Sequence, residues 1–97
     1  MKLFTVSKDQ QVVIARKGKD PVPYVTTKDL CFEREELVVD PVSMANGQDT
    51  YALCKELEGK GYTNPAINAV MSNKVNGAAF ERDGYLLIVP YQKVKIV

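Results

Sequence analysis

The amino-acid sequence predicts a small α+β fold, in which an antiparallel sheet of about four to six short strands carries a pair of helices and a C-terminal β-hairpin. Residues 1–48 alternate apolar with polar side chains between turn residues, as half-buried strands do. Residues 49–76 repeat apolar side chains at helical spacing. Residues 77–97 contain Asp83-Gly84 between two apolar runs, a strong signal for a two-residue hairpin turn. We expect a single domain over 1–97, because 97 residues with 45% hydrophobic side chains suffice for one core.

The first strands follow from alternation and from proline. Residues 3–7 and 11–15 each place apolar side chains on one face, and the polar turn between them predicts that they pair as a hairpin. Pro21 and Pro23 keep the next stretch extended, which favours an edge strand over residues 24–27.

Two short apolar runs end the β-rich half. Residues 30–32 and 37–39 flank the charged spacer 33–36, which predicts a turn or a strand end facing water. A loop over 41–48 follows, with Asn46-Gly47 as its tight turn.

The helices are delimited by capping residues. Asp49 is a good N-cap for the first helix, and Gly59 and Gly61 end it. The second helix begins at Thr63 or Asn64.

The C-terminal segment predicts three strands. Residues 78–82 and 85–90 form the hairpin around Asp83-Gly84. Over residues 92–97 lysines alternate with apolar side chains, which suggests an edge strand with one face in water.

Charge is strongly segregated along the chain, although the net charge is only +1. Residues 1–28 carry six Lys and Arg against two carboxylates, residues 29–58 carry two against eight, and residues 60–97 carry five against two. Such a pattern selects partners by electrostatic complementarity. We therefore expect the acidic segment to bind a protein with a basic surface, competing with nucleic acid for that surface as a DNA mimic would. The predicted partner-binding carboxylates are Asp29, Glu33, Glu35, Glu36, Asp40, Glu56 and Glu58.

Several classes of chemistry have no residues to support them. The chain has no histidine, so it has no imidazole base, no His-dependent triad and no His metal ligand. Cys31 and Cys54 lack C-x-x-C spacing, and we expect two buried apolar side chains rather than a metal site; a disulfide is the alternative in an oxidising compartment. We expect no cofactor, no metal and no catalytic residue. The N-terminal residues lack the apolar core of an export signal and no run is long enough to span a bilayer, so we expect a cytoplasmic protein without a membrane partner.

The order of helix, glycine turn, helix and hairpin over residues 49–97 resembles the winged helix-turn-helix family of DNA-binding domains, across about half of the chain. The resemblance implies that the second helix enters the major groove and that the hairpin contacts the DNA backbone. It places DNA-binding positions on the second helix, at Asn64, Asn68, Ser72 and Asn73, and at the tip of the hairpin, at Arg82.

The sequence thus leaves two functions open. The first is a small, non-enzymatic regulator or inhibitor that binds a protein through its acidic segment; proteins of this size are often encoded by phages and other mobile elements. The alternative is a DNA-binding regulator that uses residues 49–97.

Overall fold

A computed structural model describes residues 3–39, 50–73, 77–90 and 93–96. These residues form β1 (Leu3–Val6), β2 (Gln11–Arg16), β3 (Val22–Val25), β4 (Leu30–Glu33), β5 (Leu37–Val39), α1 (Thr50–Gly59), α2 (Asn64–Asn73), β6 (Gly77–Arg82), β7 (Tyr85–Pro90) and β8 (Val94–Ile96), with one 3₁₀ turn at Arg34–Glu36. The α+β class, the helix pair and the C-terminal hairpin are confirmed. The described residues contain eight strands rather than four to six, and the predicted loop at 41–48 and cap at Asp49 lie outside them.

The strands form two antiparallel sheets that pack as layers. The larger sheet has the order β3-β2-β7-β6-β5, and the smaller has the order β4-β1-β8. Alternate residues of β7 serve two cores: Leu86 and Ile88 pack with the helices, whereas Leu87 and Val89 pack with the smaller sheet. The five-stranded sheet is therefore the middle layer, which explains why β7 is apolar throughout instead of alternating.

The predicted hairpin between the first two strands is wrong. β1 pairs with β4 and β8, while β2 pairs with β3 and β7. Phe4 and Val6 of β1 share a core with Val12 and Ile14 of β2. The two apolar faces thus meet face to face across the layers, and an alternating pattern is the same in either arrangement.

Thr26 holds the connection between these two strands. Its side chain is only 1% exposed. The hydroxyl donates to the carbonyl of Ser7 at 2.7 Å and accepts the N–H of Gln10 at 2.8 Å. A buried hydroxyl thereby satisfies two backbone groups of a turn that would otherwise lack partners.

Two local predictions, the Asp83-Gly84 turn and the cap of the second helix, are confirmed. Asp83 and Gly84 have φ of 50° and 81° between the paired residues Arg82 and Tyr85, as a type I′ turn requires. Thr63 is the N-cap of α2, since its hydroxyl accepts the N–H of Ala66 at 3.3 Å.

The predicted edge strands are also found. β3 lies at one edge of the larger sheet and β8 at one edge of the smaller, with Lys93 and Lys95 exposed. The N–H of Thr26, just after β3, donates to Gln10 O at 3.0 Å. Because the backbone groups of successive residues point to alternate sides of a strand, those of Pro23, three residues earlier, point away from β2. Its missing donor therefore costs the sheet no hydrogen bond.

Candidate functional site

The structure divides the predicted acidic surface between two layers. Four of the predicted carboxylates lie at β4 of the smaller sheet or at the 3₁₀ turn that follows it, namely Asp29, Glu33, Glu35 and Glu36. Glu56 and Glu58 lie on α1, on the opposite side of the middle sheet. Asp40 is outside the described residues. A continuous acidic segment of the chain thus becomes two separate groups in space.

Glu36 is paired inside the protein. Its two carboxylate oxygens accept from Nε and Nη2 of Arg82 at 2.6 and 2.9 Å. The same Nη2 donates to Cys31 O at 2.6 Å, and the guanidinium lies 4.3 Å from the ring centroid of Phe32. The hydrogen bonds from Arg82 hold the pKa of Glu36 below its ordinary value of 4.5, although burial acts in the opposite direction. Arg82 therefore fastens the 3₁₀ turn and β4 to β6.

Glu56 belongs to a second charged cluster, on the helix side. Lys60 Nζ lies 2.7 Å from Glu81 Oε1 and 3.3 Å from Glu56 Oε1. The hydroxyl of Tyr62 donates to the other oxygen of Glu81 at 2.6 Å. Burial, reinforced by Glu81, raises the pKa of Tyr62, so the phenol stays protonated and acts as a donor. This cluster joins the turn between the helices to β6.

Glu81 has a lowered pKa for reasons that oppose each other. Burial alone would raise it, but the hydrogen bonds from Lys60 and Tyr62 outweigh burial and hold the pKa below 4.5. The sequence carried a signal for this residue. On β6, Glu81 lies two residues after Ala79 and therefore on the same face, which points to the helix-side core. A carboxylate at such a position needs partners.

These two clusters predict acid sensitivity. Because the pKa values of Glu36 and Glu81 are lowered by folding, the unfolded state binds more protons at acid pH. Their contribution is complete above about pH 4.5 and is lost as the pH falls through the folded values. We expect the urea midpoint to drop as the pH falls below about 4.5, where the unfolded carboxylates take up protons before the folded ones.

The matched control for this titration is Glu58, an exposed carboxylate on α1 without an ion pair among the described residues. The variant Glu36→Gln/Glu81→Gln should be less stable at neutral pH and should lose less stability on acidification. Glu58→Gln should follow the wild-type curve. An equally steep acid limb in the double variant would show that other groups govern it.

The residues implied by the winged-helix resemblance do not converge in space. Asn64, Asn68 and Ser72 are exposed on α2, and the side chain of Asn73 is outside the described part. Arg82 is the last residue of β6 rather than the tip of the hairpin. Its side chain binds Glu36 beside the smaller sheet, away from the helices.

The cysteines differ from expectation in one respect. Cys31 is exposed on β4, so its predicted burial is wrong; it alternates with the inward-facing Phe32. Cys54 is half-buried beside the helix-side core. Both are free thiols, and the residues that the structure describes contain no group of three or more Cys, Asp or Glu placed to hold a metal ion.

One pocket in the described region has a mainly apolar lining. It has a volume of about 490 Å³ and lies over the helix-side face of β2 and β3, next to Val13, Val25 and Ile88. Its described lining offers no acid, base or nucleophile apart from Tyr24, whose side chain packs with the core on the other face of the sheet. No helix among the residues described is long and apolar enough to cross a membrane.

The chain matches no protein-family model, no curated protein and no solved structure. The roles of its residues are therefore argued from contacts and charge.

Proposed function

We propose that this protein is a small binding protein that regulates or inhibits a protein partner with a basic surface, and that it acts by contact rather than by catalysis. The observation that carries the proposal is the division of its carboxylates. Glu36 and Glu81 are half-buried and paired within the protein, and the exposed Glu56 pairs with Lys60. Asp29, Glu33 and Glu35 are exposed and form no ion pair within the described residues. We call these three residues the acidic ridge.

The acidic ridge flanks an edge strand. Asp29 precedes β4, Glu33 ends it and Glu35 follows in the 3₁₀ turn. Within the described residues β4 pairs with one strand, β1, and Arg82 contacts its Cys31 carbonyl, so the rest of its outer edge is where we propose that another chain binds. An extended segment with Lys or Arg could add to that edge, because main-chain hydrogen bonds provide affinity and the carboxylates select the charge. Arg34 lies among the three carboxylates and leaves the ridge with a net negative charge.

The contact between Glu36 and Arg82 makes Glu36 unsuitable for testing the proposed interface. Replacing Glu36 would break its bidentate contact with Arg82, so a loss of binding could reflect damage to the fold. Glu35 and Glu58 are both exposed, and each reversal to lysine changes the net charge by the same amount. They are a matched pair on opposite sides of the middle sheet.

The experiment is affinity capture from cells that express the tagged protein, followed by mass spectrometry. We expect Glu35→Lys to weaken recovery of the partner by about tenfold or more, because it places like charges opposite each other. Glu58→Lys should recover the partner as the wild type does. Equal recovery by both variants would remove the acidic ridge as the interface.

A further inference from the structure

Two adjoining pockets form a groove at the end of β2, on the side of the middle sheet that faces the smaller sheet. They share Ile14 and Arg16 and have volumes of about 330 and 170 Å³. We call the pair the Arg16 groove. The larger pocket continues along the loop after β2, and the smaller one runs between β7 and the loop before β4. Its polar and aromatic lining consists of Arg16, Lys19, Asp20, Tyr24, Thr27, Lys28 and Tyr85.

The groove is positively charged. Arg16, Lys19 and Lys28 are exposed, and none of them forms an ion pair within the described residues. Asp20 is the one carboxylate in its described lining. The cations come from three separate places in the fold: a strand end, the loop after it and the loop before β4. Arg16 lines both pockets, Lys19 the larger and Lys28 the smaller, so the positive charges extend along the groove, where each could neutralise a phosphate of an anionic chain.

Aromatic rings lie beside these charges. Tyr24 and Tyr85 are half-buried in the wall of the groove, and the guanidinium of Arg16 lies 5.8 Å from the ring centroid of Tyr85. The floor is apolar, with Leu30 and Leu87. Neither tyrosine hydroxyl hydrogen-bonds to another described residue. The rings are therefore held by packing against the apolar core, and Tyr85 also by the contact with the Arg16 guanidinium.

We propose that the Arg16 groove binds a short segment of single-stranded nucleic acid. Phosphates would contact Arg16, Lys19 and Lys28, and an unpaired base would stack on Tyr24 or Tyr85. Basic side chains around aromatic platforms are the combination that single-stranded nucleic acids recognise. An acidic peptide would use the cations but has no flat rings for the tyrosines. A duplex keeps its bases stacked in its own helix, out of reach of a recess between strands.

This inference does not rest on the proposed protein partner. The acidic ridge and the Arg16 groove share no residue, so either can fail without the other.

The test uses the intact protein and a fluorescein-labelled oligothymidine of about twelve nucleotides, followed by anisotropy over a salt series. We expect log affinity to fall with log salt with a slope of about −2, as for three phosphate contacts on a single strand. Lys19→Glu/Lys28→Glu should weaken binding by about tenfold or more. The matched control, Lys55→Glu/Lys95→Glu, makes the same charge change at exposed lysines outside the groove and should stay within about twofold of wild type.

The stacking of a base on a tyrosine is measured separately, by tyrosine fluorescence. The chain has five tyrosines and no tryptophan, so a stacked base should quench its tyrosine emission. Leucine at either position keeps an apolar side chain against the floor but removes the ring. The variant Tyr24→Leu/Tyr85→Leu should therefore bind about fivefold or more weakly and should no longer show the quenching. Circular dichroism checks that each variant is folded.

Three outcomes would overturn the proposal. The first is unchanged affinity in Lys19→Glu/Lys28→Glu. The second is binding of a duplex of the same length, or of a polyglutamate peptide, as tight as that of oligothymidine. The third is full affinity in the folded double tyrosine variant, which would reduce the groove to a general anion-attracting surface.

Discussion

Phe80→Ala is expected to destabilise the protein by about 3–5 kcal/mol, the usual cost of removing a buried aromatic ring. Phe80 is fully buried between the two sheets. Its ring stacks on Phe32 at 4.5 Å and meets Phe4 at 5.7 Å. Phe32 and Phe4 belong to neighbouring strands of the smaller sheet, so a cavity at position 80 would remove contacts that join both strands to the middle layer.

Urea unfolding followed by far-UV circular dichroism measures this effect. The matched aromatic control is Tyr51, which is 71% exposed on α1; Tyr51→Ala should stay within about 0.5 kcal/mol of wild type. Because domains of this size are stable by only about 5–15 kcal/mol, Phe80→Ala should be partly unfolded at moderate temperature. A loss similar to that of Tyr51→Ala would mean that the sheets do not pack through this ring.

Leu57→Ala is expected to cost about 2–5 kcal/mol. Leu57 is fully buried on α1 and belongs to the helix-side core, together with Val70 of α2 and Leu86 of β7. Its carbonyl also accepts the N–H of Tyr62 at 3.2 Å, so the same residue lies at the turn between the helices. Truncation removes the side-chain contacts and leaves that backbone bond in place.

Glu58→Ala, at the neighbouring exposed position of the same helix, is the control and should change the urea midpoint little. Both variants keep a good helix former, so helix propensity does not explain the difference. A destabilisation below that of a surface substitution would contradict the packing of α1 on the sheet. Because one middle sheet contributes to both cores, Leu57→Ala and Phe80→Ala should each unfold the protein in a single transition.

Elements with local causes could be read from the sequence. The Asp83-Gly84 turn, the Thr63 cap and the end of α1 near Gly61 each depend on a few adjacent residues. Backbone conformation at a positive φ or at a helix end is decided there, so those predictions are confirmed.

Strand partners depend on distant residues and were harder to predict. The alternation of Phe4 and Val6 correctly indicated a strand, but it could not show that β1 lies in another sheet from β2. Two strands with alternating apolar side chains can bury those side chains either by pairing as neighbours in one sheet or by packing face to face in two sheets, so the pattern does not distinguish the arrangements.

The partners of the charged side chains also lie far away in the sequence and could not be predicted. Glu36 and Glu56 were predicted to face a partner, yet Arg82 and Lys60 pair with them from outside the acidic segment. The Arg16 groove likewise gathers side chains from far apart in the sequence, between Ile14 and Leu87. Only the folded chain brings such residues together, and no spacing rule within one segment reveals them.

The position of β1 also determines how the protein would respond to mechanical force. β1 and β8 are antiparallel neighbours, and Phe4 pairs with Ile96. A tensile load applied at Leu3 and Ile96 would therefore act at one end of this ladder and open its hydrogen bonds one after another, like a zipper. The pair would separate at low force, whereas strands loaded in shear must break several bonds at once.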